Sequence, residues 1–214
     1  GLWSFQYSEA WLENPQCFAL SPHLPLTTEA LLDGASLRPV QWYFDNLLPE
    51  EGQRVLLAGD AKLETADAFG LLAWYGAESA GSVTLLSPDA GTQVAEPLRP
   101  LPDDALEARI RQLPKAPLTQ AAIKRMSLAG AQHKLAVVLQ EGSLFEPAGA
   151  TPSTHILKPD HPDDDYPHSV INEWFVMCLA RRLGLDVPDV HRCYVSSPVY
   201  LIDRFDRITD TQDW

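Results

Sequence analysis

The sequence predicts an α+β chain in two parts. A small N-terminal α/β subdomain covers residues 1–98, and an antiparallel sheet with one long helix covers residues 99–214. Three observations predict this. Short alternating or Val/Ile/Leu-rich runs read as strands. Between them lie stretches whose apolar residues recur at i, i+3 and i+4, the spacing of a helix with one buried face. From Asp89 to Pro102 the composition shifts to Pro, Gly, Ala and charge, which marks the boundary between the parts.

In the first part, Trp3, Phe5 and Tyr7 alternate as in a strand, and Trp11-Leu12 suggests a short turn after it. Two prolines between Leu20 and Pro25 favour extended loop. Gln41 to Leu48 carries apolar residues at 43, 44, 47 and 48 and reads as a short buried helix that Pro49 ends. Ala66 to Tyr75 reads as a second helix, with Phe69, Leu72 and Ala73 on its apolar side and Gly76 as its stop. Gly81 to Leu86 reads as a strand.

In the second part, Asp103-Asp104 is expected to cap a helix with Leu106, Ile110 and Leu113 along one stripe, stopped before Pro114. Thr119 to Arg125 reads as another helical turn or two. Leu135 to Gln140 and Thr154 to Lys158 are strands, the second ended by Pro159. Val170 to Leu183 is a helix with Val170, Trp174, Met177 and Leu183 in phase. Arg192 to Val195 and Val199 to Asp203 form a hairpin around Ser196-Ser197-Pro198.

Of the 214 residues, 45% are apolar, too many for a disordered chain. No apolar run approaches the roughly 20 residues needed to cross a bilayer, so no membrane contact is expected. The formal charge is −13, unevenly spread: residues 1–98 hold 13 acidic and 3 basic side chains, residues 99–214 hold 16 and 13. A nucleic-acid surface needs clustered Lys and Arg. The first part is therefore not expected to touch DNA or RNA directly, and it suits a basic protein partner. Three cysteines without a CxxC pair argue against a disulfide framework or zinc ribbon and point to a reducing, cytoplasmic setting. The chain begins without Met and stops in a polar turn, and is expected to be a piece of a longer one.

The chemistry concentrates between residues 126 and 173. The small-residue stretch from Ser127 to Lys134 has the character of a loop whose backbone N–H groups can approach phosphate oxygens. It matches neither GxxxxGK[ST] nor GxGxxG, and an ordinary hairpin loop would look the same. Lys158, at the end of an apolar strand, can reach across a cleft to phosphates, or be a solvated strand end. Glu173, in the first turn of the following helix, can hold the lysine ammonium in place or simply favour the helix dipole. In this order, loop, lysine and glutamate are the parts a kinase uses to hold ATP. Asp203-Arg204-Phe205 follows the last strand, where a kinase small lobe has its hinge.

The acid- and His-bearing stretch His161, Asp163, Asp164, Asp165 and His168 lies among prolines and reads as a polar loop rather than a metal cluster. His133, His155 and His191 show no mutual spacing that suggests a shared site, and no metal ligands are assigned.

At these residues the chain resembles the HipA family of bacterial toxin serine/threonine kinases. The resemblance rests on Ser127 to Lys134, Pro152 to Lys158, Asn172-Glu173, Leu183 to Pro188 and Arg204 to Arg207. In the first part it rests on Ser21 to Leu26, Tyr43 to Glu50 and Gly81 to Leu86. It implies that residues 99–214 are a protein-kinase-like N-lobe with one αC-like helix. Ala129, Gly130, Ala131, Gln132, His133 and Lys134 would form the nucleotide-covering loop, with Lys158 on the ATP phosphates and Glu173 orienting it. Asp203, Arg204 and Phe205 would be the adenine hinge, and Ser127 a self-phosphorylated regulatory serine. The implied full-length protein is a toxin kinase that phosphorylates a protein serine, commonly on an aminoacyl-tRNA synthetase, and halts translation. A HipB-like helix-turn-helix antitoxin would neutralise it. The catalytic-loop aspartate and the Mg²⁺ ligands would lie in a C-lobe that this chain lacks, so the chain by itself is expected to be inactive. The rival reading is a non-catalytic binding module that docks an antitoxin or a separate kinase lobe.

Overall fold

The structure, a computed structural model, describes residues 2–77, 79, 83–89, 96–120, 122 and 128–207. It is α+β and divides into two compact units, Gly1–Leu47 and Leu48–Trp214. The compositional shift at 89–102 thus falls inside the second unit.

In the first unit, β1 (Ser4–Phe5) pairs antiparallel with β2 (Leu31–Leu32), and α1 (Glu9–Leu12) is capped by the Ser8 hydroxyl. Phe5 sits edge-on to Tyr7 at 4.7 Å and 5.8 Å from Phe44. The Tyr7 hydroxyl donates to the Leu24 carbonyl at 2.7 Å and accepts from the Leu20 amide at 2.9 Å. The helix expected at 41–48 is α2 (Pro39–Asp45), with Pro at its first position, where the missing N–H is not needed. Its N-cap residue Arg38 makes no capping bond. Buried Asp33 does so instead, accepting from the Val40 and Gln41 amides at 2.9 Å each.

The second unit opens with α3 (Glu51–Ala61), which the sequence pattern did not announce. It buries only Leu57 and Ala58 and contains Gly52 and Gly59, so it has no apolar stripe to recognise. It is followed by α4 (Ala68–Tyr75), capped by the Asp67 carboxylate on the Gly70 amide. The buried side of α4 is Ala68, Leu71, Leu72 and Tyr75; Phe69, expected inside, is 68% exposed. The Tyr75 hydroxyl bonds Asp60 at 2.6 Å and so fastens α4 to α3. Of the strand expected at 81–86, residues 81 and 82 lie outside the described residues, and 83–86 join no named strand.

The sheet has six antiparallel strands in the order β3-β5-β4-β6-β8-β7. These are β3 (Arg99–Pro100), β4 (Leu135–Gln140), β5 (Ser143–Glu146), β6 (His155–Pro159), β7 (Val190–Tyr194) and β8 (Pro198–Asp203). One face carries Leu135, Val137, Leu157, Val199 and Leu201, packed with Leu106 of α5 (Asp103–Arg111). Pro102, rather than Asp103-Asp104, holds the N-cap position of α5; the two acids lie in its first turn. Glu146 is 1% exposed and accepts from Arg109 of α5 at 2.7 Å, tying the helix to the sheet edge.

The last helix, α6 (Ser169–Arg182), packs on β6, β7 and β8. Val170 is buried, but Leu183 lies past its end, 72% exposed rather than in phase with the core. The N-cap residue His168 makes no side-chain bond. Asp160, the residue after β6, accepts from the Val170 amide at 2.9 Å, and the Ser169 hydroxyl accepts from the His161 amide at 2.8 Å. Among the described residues, no helix is long and apolar enough to cross a membrane.

Two stability outcomes are expected. Glu146→Ala removes the buried acceptor that Arg109 reaches and should cost about 1.5–3 kcal/mol in urea unfolding, the worth of a hydrogen bond to a charged group. Asp160→Ala removes the cap of α6 and should cost about 1 kcal/mol by the same measurement.

Candidate functional site

Lys158 is the fourth residue of β6 and faces Tyr200 of β8 in the register. Its ammonium lies 5.7 Å from the centroid of the Tyr200 ring and donates to Glu173 Oε2 at 2.7 Å. Glu173 is the fifth residue of α6, beyond the first turn, so its carboxylate serves the lysine more than the helix terminus. Both side chains are partly open to solvent. Burial pushes the Tyr200 phenol up to about 12, helped by Glu173, so it stays neutral beneath the ammonium.

The loop before β4 stands near this pair. An open cleft of about 990 Å³ is lined by Ala131, Gln132 and His133 of the loop, Gln53 of α3, and Asn172 and Glu173 of α6. Gly130 holds φ +100°, and a Cβ there would come within 2.9 Å of Lys134 Nζ, so only glycine fits without adjustment. Lys134 Nζ donates to the Ala129 carbonyl at 2.6 Å. Burial lowers the Lys134 pKa from 10.5 to about 8, with Lys158 pushing the same way and Glu173 and Glu50 opposing. His133 is 4% exposed, and the Gln53 amide nitrogen lies 2.7 Å from its Nδ1. Burial, then His161 and Lys134, lower its pKa to about 4, so this imidazole is neutral near pH 7.

Of the predicted site residues, Ala131, Gln132, His133 and Glu173 line the cleft; Ala129, Gly130, Lys134 and Lys158 do not, and Lys158 is joined to it through its pair with Glu173. Asp203, Arg204 and Phe205 do not line the cleft. Asp203 ends β8 opposite His155, Arg204 is buried with bonds to Ser153 and to the Ser79 carbonyl, and Phe205 is 87% exposed. Ser127 lies outside the described residues. Gln53 was not foreseen, because the helix that carries it has no apolar signature.

The histidines require a correction. His155 and His191, which no sequence spacing connected, lie with ring centroids 6.0 Å apart, on either side of Asp203. In the 161–168 loop the three acids are exposed; the Asp163 backbone N–H bonds His161 Nδ1 and the Asp165 backbone N–H bonds the Asp163 carboxylate.

Comparison with known proteins places this geometry. Residues 1–86 match the HipA N-terminal domain and residues 126–213 match the HipA-like C-terminal domain. Y4mE of Sinorhizobium fredii, provisionally named a kinase, is 40% identical over 96% of this chain and 49% of its own length. The serine/threonine-protein kinase toxin HipA of Shewanella oneidensis is 29% identical over 94% of this chain and 44% of its own. A solved structure of Shewanella oneidensis HipA with HipB and operator DNA superposes with TM-score 0.75 at 27% identity, covering 99% of this chain and 47% of that one. The chain spans about half the length of these relatives. Two domain models in succession and relatives aligned along nearly its whole length lead to one conclusion: the chain belongs to the HipA family.

Proposed function

We propose that residues 99–214 are the nucleotide-binding small lobe of a HipA-like serine/threonine-protein kinase toxin. The observation that carries this reading is the 2.7 Å pair of Lys158 and Glu173, set beside a cleft that the 131–133 loop lines. Two cations, Lys158 and Lys134, and a glycine held at φ +100° in the loop suit a polyphosphate. ATP, with Mg²⁺ held by residues outside this chain, would supply the transferable phosphoryl group. In this reading Lys158 binds phosphate oxygens, Glu173 fixes the lysine rotamer, and Gln53 with neutral His133 stiffens the loop. Asp203 to Phe205 form the adenine hinge. Ser127 is the regulatory acceptor, whose phosphate would repel nucleotide next to the loop.

In the full-length protein the target is a protein serine, on an aminoacyl-tRNA synthetase, and the outcome is inhibited translation in the cytoplasm. The antitoxin is a HipB-like helix-turn-helix protein; the Shewanella relative was solved with HipB and operator DNA, which supports this partner. Exposed Phe175, Val176 and Leu179 along α6 support a further lobe packing on this one. The same apolar face favours the second reading, a non-catalytic module that docks an antitoxin or a separate kinase lobe.

Calorimetric titration of the chain with ATP separates the two. The nucleotide reading expects weak binding that Lys158→Ala reduces by roughly 10- to 100-fold, the worth of a hydrogen bond to a charged group. Equal affinity in both proteins would sink it. The titration also has a pH signature. Lys134 attracts phosphate only as a cation, so affinity should fall as pH rises past about 8. Lys134→Met should bind more weakly and show no such decline between pH 7 and pH 9.

A further inference from the structure

We propose that His155, His191 and Asp203 form a binding site for a divalent transition metal ion, with zinc the best fit. The register explains why three residues so distant in sequence meet. His155 of β6 lies directly opposite Asp203 of β8. His191 of β7 lies opposite Leu201, two residues from Asp203 and therefore on the same face of the sheet. His155 Nε2 stands 3.0 Å and His191 Nε2 3.7 Å from Asp203 Oδ1, and one ligand atom from each residue lies within 4.8 Å of the others. Ligands on a tetrahedral zinc at about 2.0–2.1 Å stand roughly 3.3 Å apart, so small side-chain rotations complete the set.

Two further observations point to a ligand. Asp203 Oδ1 is buried and faces two imidazole nitrogens, His155 Nε2 at 3.0 Å and His191 Nε2 at 3.7 Å. A cation among the three atoms would neutralise the carboxylate and take a lone pair from each ring. On the far side of the His155 ring, Nδ1 lies 2.7 Å from the Thr154 hydroxyl. In the tautomer that carries its proton on Nδ1, that hydroxyl accepts the proton, orients the ring and leaves Nε2 free to ligate. The site opens to solvent through His191 and Asp203, whose side chains are 47% and 43% exposed, so an ion can enter and water can complete the coordination.

Two imidazoles and one carboxylate favour zinc, nickel or copper over magnesium or calcium, which prefer all-oxygen sites. The site is therefore not the Mg²⁺ site of an ATP reaction. It lies on the opposite face of the sheet from Lys158, because residues 155 and 158 differ by an odd number along β6. A bound ion would cross-link β6, β8 and β7 at the point where the chain leaves the sheet for Arg204. The inference shares Asp203 with the proposed hinge but rests on its side-chain carboxylate and on two histidines that the nucleotide reading does not use.

The test is titration of the chelator-treated chain with zinc chloride by calorimetry, repeated with cobalt(II) to read the visible d–d bands of a bound ion. One equivalent should bind, the melting temperature should rise, and cobalt bands should appear. His191→Ala should weaken zinc by more than about 100-fold, beyond the 10- to 100-fold typical of losing an outer-shell partner, and should abolish the cobalt bands. His168→Ala, in the exposed loop, should change neither. His191→Gln provides a second variant if the alanine protein fails to fold, as judged by circular dichroism. Absence of a stoichiometric site in the unaltered chain, unchanged affinity in the folded His191 variants, or equal loss in His168→Ala would each overturn the proposal.

Discussion

The cleft depends on how α6 is fastened to the end of β6. Asp160 follows the strand directly, and its carboxylate caps the helix ten residues later. The exchange between Ser169 and the His161 amide closes the same loop a second time. With both ends of the loop held, the last residues of the strand and the second turn of the helix have one relative placement. Lys158 and Glu173 meet at 2.7 Å as a consequence. A lysine side chain carries up to about 2 kcal/mol of rotamer entropy. Resting it against the Tyr200 ring and pairing it with a fixed carboxylate removes much of that freedom before any ligand arrives.

The pleat of the sheet then separates two kinds of chemistry. Lys158 and Tyr200 point to the α6 side, where Arg192 also lies over the Trp174 ring at 4.9 Å. Leu157, Leu201 and Val199 point to the side that α5 covers, and His155 and Asp203 continue that row to its open end. Parity along two short strands thus divides the Lys158–Glu173 pair from a His/Asp cluster about 10 Å along β6, at 3.3 Å per residue.

The legible elements were those that bury a regular apolar pattern. The run from Leu135 to Gln140 was readable as a short apolar run with two valines bounded by Glu141-Gly142, and its first four residues are buried. The helix α5 was readable from Leu106, Ile110 and Leu113, which do pack together. The helix α3 was not, since its stability comes from packing under α4 and the loop rather than from an apolar face of its own. In α4 the composition is apolar nearly all round, so the sequence named a helix but, of Phe69, Leu72 and Ala73, placed only Leu72 correctly inside. For α2 and α6, the capping aspartates lie seven to ten residues upstream of the amides they serve, outside any local capping motif.

The sequence by itself determined that this is an α+β chain, that its first part is acidic, and that a small-residue loop, Lys158 and Glu173 follow one another in that order. These are properties of local composition and spacing, which act over a few residues. The tertiary structure alone decided that Lys158 and Glu173 touch, that Gln53 supports His133, and that His155, His191 and Asp203 share one place. Each of those depends on strand register or on the return of the chain from far away, and contact between residues 36 or 80 positions apart leaves no trace in periodicity.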